Sequence, residues 1–172
     1  KRFFTQALRN KPVIGLPQHV SRICGTCSIA HLLCNIEAIE RTLGIKPTAQ
    51  TIVLRHLAMY GLMIRDHALH LYIFALPDEL GKDSILELNK THHYLIHDAF
   101  KVKAVGNNLS KLVAGRSVHA PYPTIGGFTH FPDKDDILQV IKELKEIRPI
   151  ILRLINLFYK STSSFVRKTK FV

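Results

Sequence analysis

Apolar residues recur along much of this chain with a period near 3.6, and four stretches carry the pattern. Over residues 28–43, Ile29, Leu32, Leu33, Ile36, Ile39 and Leu43 share one stripe, while Cys27, His31, Cys34 and Ala38 lie on roughly the opposite side. Gly44 suits the C-terminal cap of that helix, and Thr48 stands near the next N-terminus just after Pro47. Residues 48–76 form a long apolar segment marked by Ile52, Leu57, Leu62, Leu69 and Ile73. Arg55, Arg65 and Asp66 interrupt it, and Pro77 closes it. Asp83 or Ser84 caps a third helix, which carries Ile85, Leu86, Leu88, Leu95, Ile96, Ala99 and Phe100 towards Val105 and Leu112. The fourth begins near Asp135 and sets Ile137, Val140, Ile141, Leu144, Ile147, Ile151, Leu154, Ile155 and Phe158 on one face, with a kink predicted at Pro149.

Between these stretches the pattern lapses. Residues 2–10 suit a short amphipathic helix, and Pro12, Gly15 and Pro17 then break the chain into a loop. Residues 114–133 hold three glycines and three prolines, which predicts an ordered loop with a short hairpin. The basic tail, residues 160–172, looks frayed. The predicted class is mainly α: long packed helices, a Gly/Pro-rich loop and little strand. Residues 1–172 read as one partial domain, a fragment of a larger helical subunit. The start at Lys1-Arg2, without Met or a secretory signal, agrees with a fragment or a processed chain.

Composition narrows the class further. With 172 residues, 47% hydrophobic and 22% charged, the chain is long enough for one modest domain with its own core. A net charge of +11 raises nucleic acid or an anionic membrane as partners. The basic residues are scattered rather than interleaved with aromatics on one face, so nucleic acid is set aside. No apolar run is long and charge-free enough for a transmembrane segment.

The chemistry concentrates in Arg22-Ile23-Cys24-Gly25-Thr26-Cys27-Ser28-Ile29-Ala30-His31. Three cysteines, two of them in Cys-x-x-Cys, make no disulfide framework and read as metal-binding in a reducing compartment. Thiolates favour soft or borderline ions such as nickel, iron, copper(I) or zinc. Gly25 would let the backbone turn tightly, and a helix starting at Ser28 would stabilise thiolate through its dipole. Cys24, Cys27, His31 and Cys34 together also match the ligand types of a structural Cys3His zinc site. His67 and His70, three apart, read as hydrogen-bonded packing residues. His93 and His97 have the i,i+4 spacing of a metal pair, lack a third partner, and read as surface.

The decamer resembles the first cysteine motif of the large subunit of nickel–iron hydrogenases. Further resemblances follow in order: His67-Ala68-Leu69-His70-Leu71-Tyr72 into Ala75-Leu76-Pro77-Asp78, then Gly115-Arg116-Ser117-Val118-His119, then Gly126-Gly127-Phe128. The resemblance implies the catalytic subunit of an enzyme that reversibly oxidises H2 to protons and electrons. Cys24 would be a terminal nickel ligand. Cys27 would bridge nickel to an iron that also holds carbon monoxide and cyanide. His31 would donate a hydrogen bond towards the bridging sulfur, with Arg22 beside the site. Gly115, Arg116 and His119 would surround the centre without binding the metal, and Cys34 would be a small core residue. The implied partner is an iron–sulfur small subunit, and the implied location is the cytoplasm, near a membrane through partners.

Two departures accompany the resemblance. The family's second Cys-x-x-Cys has no counterpart after Cys34, so the chain is expected to be inactive alone. The glutamate that holds a structural magnesium in the complete family subunit is replaced by Thr5. A non-catalytic relative, of hydrogenase or of respiratory complex I, is the alternative; the complex I relatives lack the two thiols kept here.

Overall fold

The computed structural model describes residues 2–89 and 92–160, and the tail expected to fray lies almost wholly outside them. The elements in order are α1 (Arg2–Leu8), α2 (Leu16–Val20), α3 (Ser28–Leu43), α4 (Ala49–Ala68), α5 (Leu76–Glu79), α6 (His93–Ala114), strands β1 (Pro123–Thr124) and β2 (Gly127–Phe128), and α7 (Lys134–Tyr159). Three short 3-10 turns and one π-helical stretch join them. The mainly helical class with minimal strand is the one observed.

Helix α3 has the predicted bounds. Its stripe Ile29, Leu32, Leu33, Ile36 and Ile39 is buried, although Leu43 is exposed. Gly44 takes the left-handed conformation at φ 69°, returning its N–H to Glu40 O. Thr48 then caps α4 by accepting from the Thr51 amide at 3.2 Å.

Elsewhere the boundaries differ from prediction, for identifiable reasons. Pro17 starts α2 instead of breaking the chain, because a first-turn proline gives up an amide that needs no helical partner. Pro77 does the same for α5 rather than ending the long helix, which continues through the π-helical Leu69–Ala75. The predicted third helix is divided into a 3-10 turn, Ile85–Asn89, and α6, since the apolar spacing lapses over residues 89–93. Ser84 does act as a cap, but for that turn: its Oγ accepts from the Leu86 amide at 3.2 Å. Helix α7 passes through Pro149 as one element, with the proline on an exposed face where water can serve the freed carbonyl.

Helices α4 and α6 form the spine. A Cβ on Gly106 would lie 2.7 Å from Arg65 N and 2.9 Å from Gly61 O, so the two backbones touch. One end of the spine packs on α3 through Leu54, Ala58, Leu62, Leu109 and Val113; the other buries Ala68, Tyr72, Leu76, Leu95 and Val102. Helix α7 lies along both parts, burying Val140, Ile147 and Leu154 at seven-residue intervals. Its stripe is narrower than predicted, as Ile137, Ile141 and Ile155 stay exposed. Asp98 and Arg153 join α6 to α7 at 2.5 Å.

Arg55 and Arg65, read in sequence as interruptions, are among the most buried side chains of α4. The Arg55 guanidinium grips Glu40 of α3 through two bonds of 2.7 and 2.6 Å, and the amide of Gly126 adds a third at 2.7 Å. One carboxylate thus fastens α3, α4 and the hairpin turn. The arginine, aided by that amide and opposed by burial, holds the Glu40 carboxyl below the usual carboxylate range. A carboxyl depressed on folding adds stability above its unfolded pKa and loses it as pH falls through the folded value. Glu40→Gln should therefore cost about 3–5 kcal/mol at neutral pH, the usual loss when one buried partner is removed. Urea unfolding from pH 7 to pH 3 should show a smaller acid loss in Glu40→Gln than in the native chain, and equal losses would refute this account.

Candidate functional site

A 3-10 turn at Ser21–Ile23 delivers Cys24 in extended conformation, and Cys27 takes the cap position just ahead of α3. The sulfurs of Cys24 and Cys27 are closed as a disulfide with Cα atoms 5.6 Å apart, where free thiolates are expected from the sequence. The reason lies in the turn itself, whose Cα separation falls within bridging range. Metal binding by this pair accordingly requires its reduced form. The Cys24 sulfur also accepts from the Cys27 amide and contacts Thr26 Oγ1, each at 3.4 Å. Gly25 has no positive φ, and nothing lies within 4 Å of where its Cβ would sit. Neither backbone conformation nor packing within this chain demands a glycine there, contrary to the tight-turn expectation.

The loop after α6 is tied to this turn. Gly115 ends α6 at φ 83°, and a Cβ there would also lie 2.8 Å from the Tyr122 ring. Its glycine therefore serves the loop. The His119 amide donates to Ser28 Oγ at 3.0 Å, and Gln18 Nε2 donates to Ala120 O at 3.1 Å. Arg65 spans the gap: its Nη1 donates to Ser117 O at 2.5 Å, its Nη2 to Thr26 O, and its Nε to Asp66 at 3.0 Å. The His119 Nδ1 is buried without a partner.

Arg22 and Arg116 are exposed. His31 is half-buried one turn beyond Cys27, and its imidazole makes no hydrogen bond to either sulfur. Cys34 is exposed, which corrects its assignment to the core: it sits on the helix side opposite the buried stripe. Among the described residues no three His, Cys, Asp or Glu side chains converge to hold a metal, so the four-ligand zinc arrangement is not assembled. His67 Nδ1 donates to Met63 O at 2.7 Å on its own helix, and His70 packs edge-on to Phe74. The His93 and His97 rings lie 4.5 Å apart on an exposed face. Arg65, Ser28, Thr26 and Ser117 are absent from the sequence-based site. A signal for the arginines exists: Arg55, Ala58, Leu62 and Arg65 recur at 3, 4 and 3, placing both charges on the buried face.

The donor set suits a soft metal only in part. Two sulfurs share one turn, and among the described residues no third His, Cys, Asp or Glu side chain joins them.

Residues 2–87 match the family model described as nickel-dependent hydrogenase. The chain is 32% identical over 157 residues to sulfhydrogenase 2 subunit alpha of Pyrococcus furiosus, covering 91% of itself and 38% of that protein. It is 35% identical over 139 residues to sulfhydrogenase 1 subunit alpha of the same organism, covering 81% and 32%. Its fold is similar to an NAD+-reducing [NiFe]-hydrogenase in the H2-reduced state, with TM-score 0.79 and 23% identity over 88% of this chain and 36% of that one. The chain thus spans about a third of the length of the relatives it matches. Among the described residues no helix is long and apolar enough to cross a membrane.

The loop-to-turn ties make one prediction. Ser28→Ala leaves the His119 amide without its acceptor, at about 0.5–1.5 kcal/mol for a part-buried bond. Hydrogen exchange at the His119 amide should quicken while exchange in α6 stays as in the native chain; unchanged protection at His119 would show that Ser28 does not hold the loop.

Proposed function

As this chain belongs to the nickel-dependent hydrogenase family, we propose that it is the amino-terminal part of a hydrogenase large subunit and supplies the first cysteine pair of a nickel–iron centre. The observation that carries the proposal is the placement of Cys24 and Cys27 in one pinned turn at the start of α3. Two neighbouring sulfurs form half of a four-thiolate cage; the other half would come from a second Cys-x-x-Cys. In this role Cys24 and Cys27 would hold the centre through their thiolates, Cys24 towards nickel and Cys27 towards both metals, with the iron expected to carry carbon monoxide and cyanide. When bound, that centre supplies the polarisation that lets H2 part into protons and electrons.

This chain's own residues hold and surround the metal. Ser28, Thr26 and Ser117 orient the turn through the contacts above. His31 stands on the same helix face as Cys27, close enough in sequence to turn towards its sulfur once the metal is in place. Arg116 and His119 stand on the loop that lies against the turn, with His119 presenting its buried, unpartnered nitrogen to whatever completes the site. Thr5 brings no carboxylate, so a magnesium at the family's position needs other ligands. An iron–sulfur small subunit is the electron-carrying partner, a role supported by exposed apolar side chains such as Phe3, Ile14, Phe74 and Leu86. The need to keep the thiols reduced favours the cytoplasm, with any membrane contact made through partners.

Two outcomes test the assignment. The purified, reduced chain should show no hydrogen-dependent dye reduction, since affinity comes from completing the ligand set. In a subunit completed by a second cysteine pair, Cys24→Ser and Cys27→Ser should each abolish nickel incorporation measured by elemental analysis. His31→Ala should retain metal with activity lowered about 10–100-fold. Cys34→Ala should keep full nickel, and its loss there would return the helix to a zinc site.

A further inference from the structure

We infer that Arg65 is a positioning residue for the cysteine pair, its guanidinium holding the turn so that both sulfurs meet at one point. The side chain leaves the middle of the α4–α6 spine, where a Cβ on Gly106 would lie 2.7 Å from the Arg65 amide nitrogen. Its base is therefore fixed at the close backbone crossing of α4 and α6. Its three donor nitrogens go to three different places. Nε takes Asp66 on its own helix, Nη1 takes the Ser117 carbonyl of the loop, and Nη2 takes the Thr26 carbonyl. Thr26 stands between Gly25 and Cys27 inside the motif itself. A planar fork with donors fixed in angle spans two carbonyls as a single ammonium cannot.

The Arg65 side chain is 4% exposed, while Asp66, its one charged partner among the described residues, is 30% exposed. Keeping a guanidinium there is costly unless its donors are satisfied, and two of the three are satisfied by backbone carbonyls of the site. Arg55 provides the contrast within the same helix. It is equally buried, but its partners are Glu40 and the hairpin, away from the cysteine turn. One arginine serves the fold, and the other reaches into the motif.

The inference rests on the reading that Cys24 and Cys27 act together, and not on which metal they hold. Its readout is the effective concentration of one thiol at the other, obtained by titrating the chain with glutathione in a Cys34→Ala background. The reaction is balanced as two protein thiols plus oxidised glutathione giving the protein disulfide and two reduced glutathiones. Arg65→Met and Arg65→Lys should each lower that effective concentration about tenfold or more, the scale on which outer partners of a ligand act. Arg55→Met, compared at equal folded fraction by circular dichroism, should leave it as in the parent chain. Where an Arg65 variant fails to fold, Asp66→Asn removes the negative charge of the partly exposed Nε partner and should lower it by a smaller factor. An unchanged value in the folded Arg65 variants, in Asp66→Asn where those do not fold, or an equal fall in Arg55→Met, would overturn the inference. A high effective concentration in the parent with no nickel taken up by the completed subunit would instead sink the hydrogenase reading and leave Arg65 in its role.

Discussion

Two helices touching backbone to backbone at Gly61 and Gly106 are the constraint on which the rest of this molecule depends. A Cβ at Gly61 would lie 2.5 Å from Ser110 Oγ and 2.8 Å from Ser110 N, so neither glycine has room for even a methyl group. The close crossing fixes the direction in which α6 ends and hence where the loop after Gly115 starts. It also fixes the root of Arg65. The cysteine turn is then reached from both sides, by the loop through His119 and Ala120 and by the guanidinium through Thr26. A reactive turn built on α1, α2 and a 3-10 turn, of which α1 buries nothing, would otherwise have little to hold it in place.

Two strategies for burying charge stand side by side in α4. Glu40 and Arg55 neutralise each other within the fold, as buried ion pairs must if they are not to destabilise it. Arg65 is satisfied chiefly by carbonyl oxygens, which hold a cation without spending a carboxylate and leave it oriented by the backbone. The first arrangement responds to acid through Glu40, whereas the second has no titrating partner among its carbonyls.

Much of this was legible from local patterns. The bounds of α3 follow from its stripe together with Gly44 and Thr48, because caps and periodicity are decided within a few residues. The Cys-x-x-Cys turn and the family both follow from one decamer and three ordered matches. What escaped was decided at long range. Nothing near Arg65 announces Ser117 or Thr26, and the polar character of Arg55 concealed a place on the buried face. Leu43 was misplaced because spacing alone does not show where a helix end leaves the core, and Cys34 because matching no family ligand outweighed its own position opposite the buried stripe. The broken third helix was misread because Ile85 to Leu88 continue an apolar count into a region too short of apolar partners to remain helical.

The π-helical stretch Leu69–Ala75 has a consequence for how this sequence can change over time. Across it, Ala68, Tyr72 and Leu76 are buried at even intervals of four, a stride that suits a wider turn than the α-helix provides. A wider turn absorbs one additional residue while the helix before and after keeps its own faces directed at the core. In a strand the same insertion would send every following side chain to the opposite face. This segment is therefore a place where a codon could be gained or lost at the cost of one turn's shape, with the packing of its neighbours preserved. Length variation within this long helix should gather here, and the glycine crossing at Gly61, about two turns upstream, should show none.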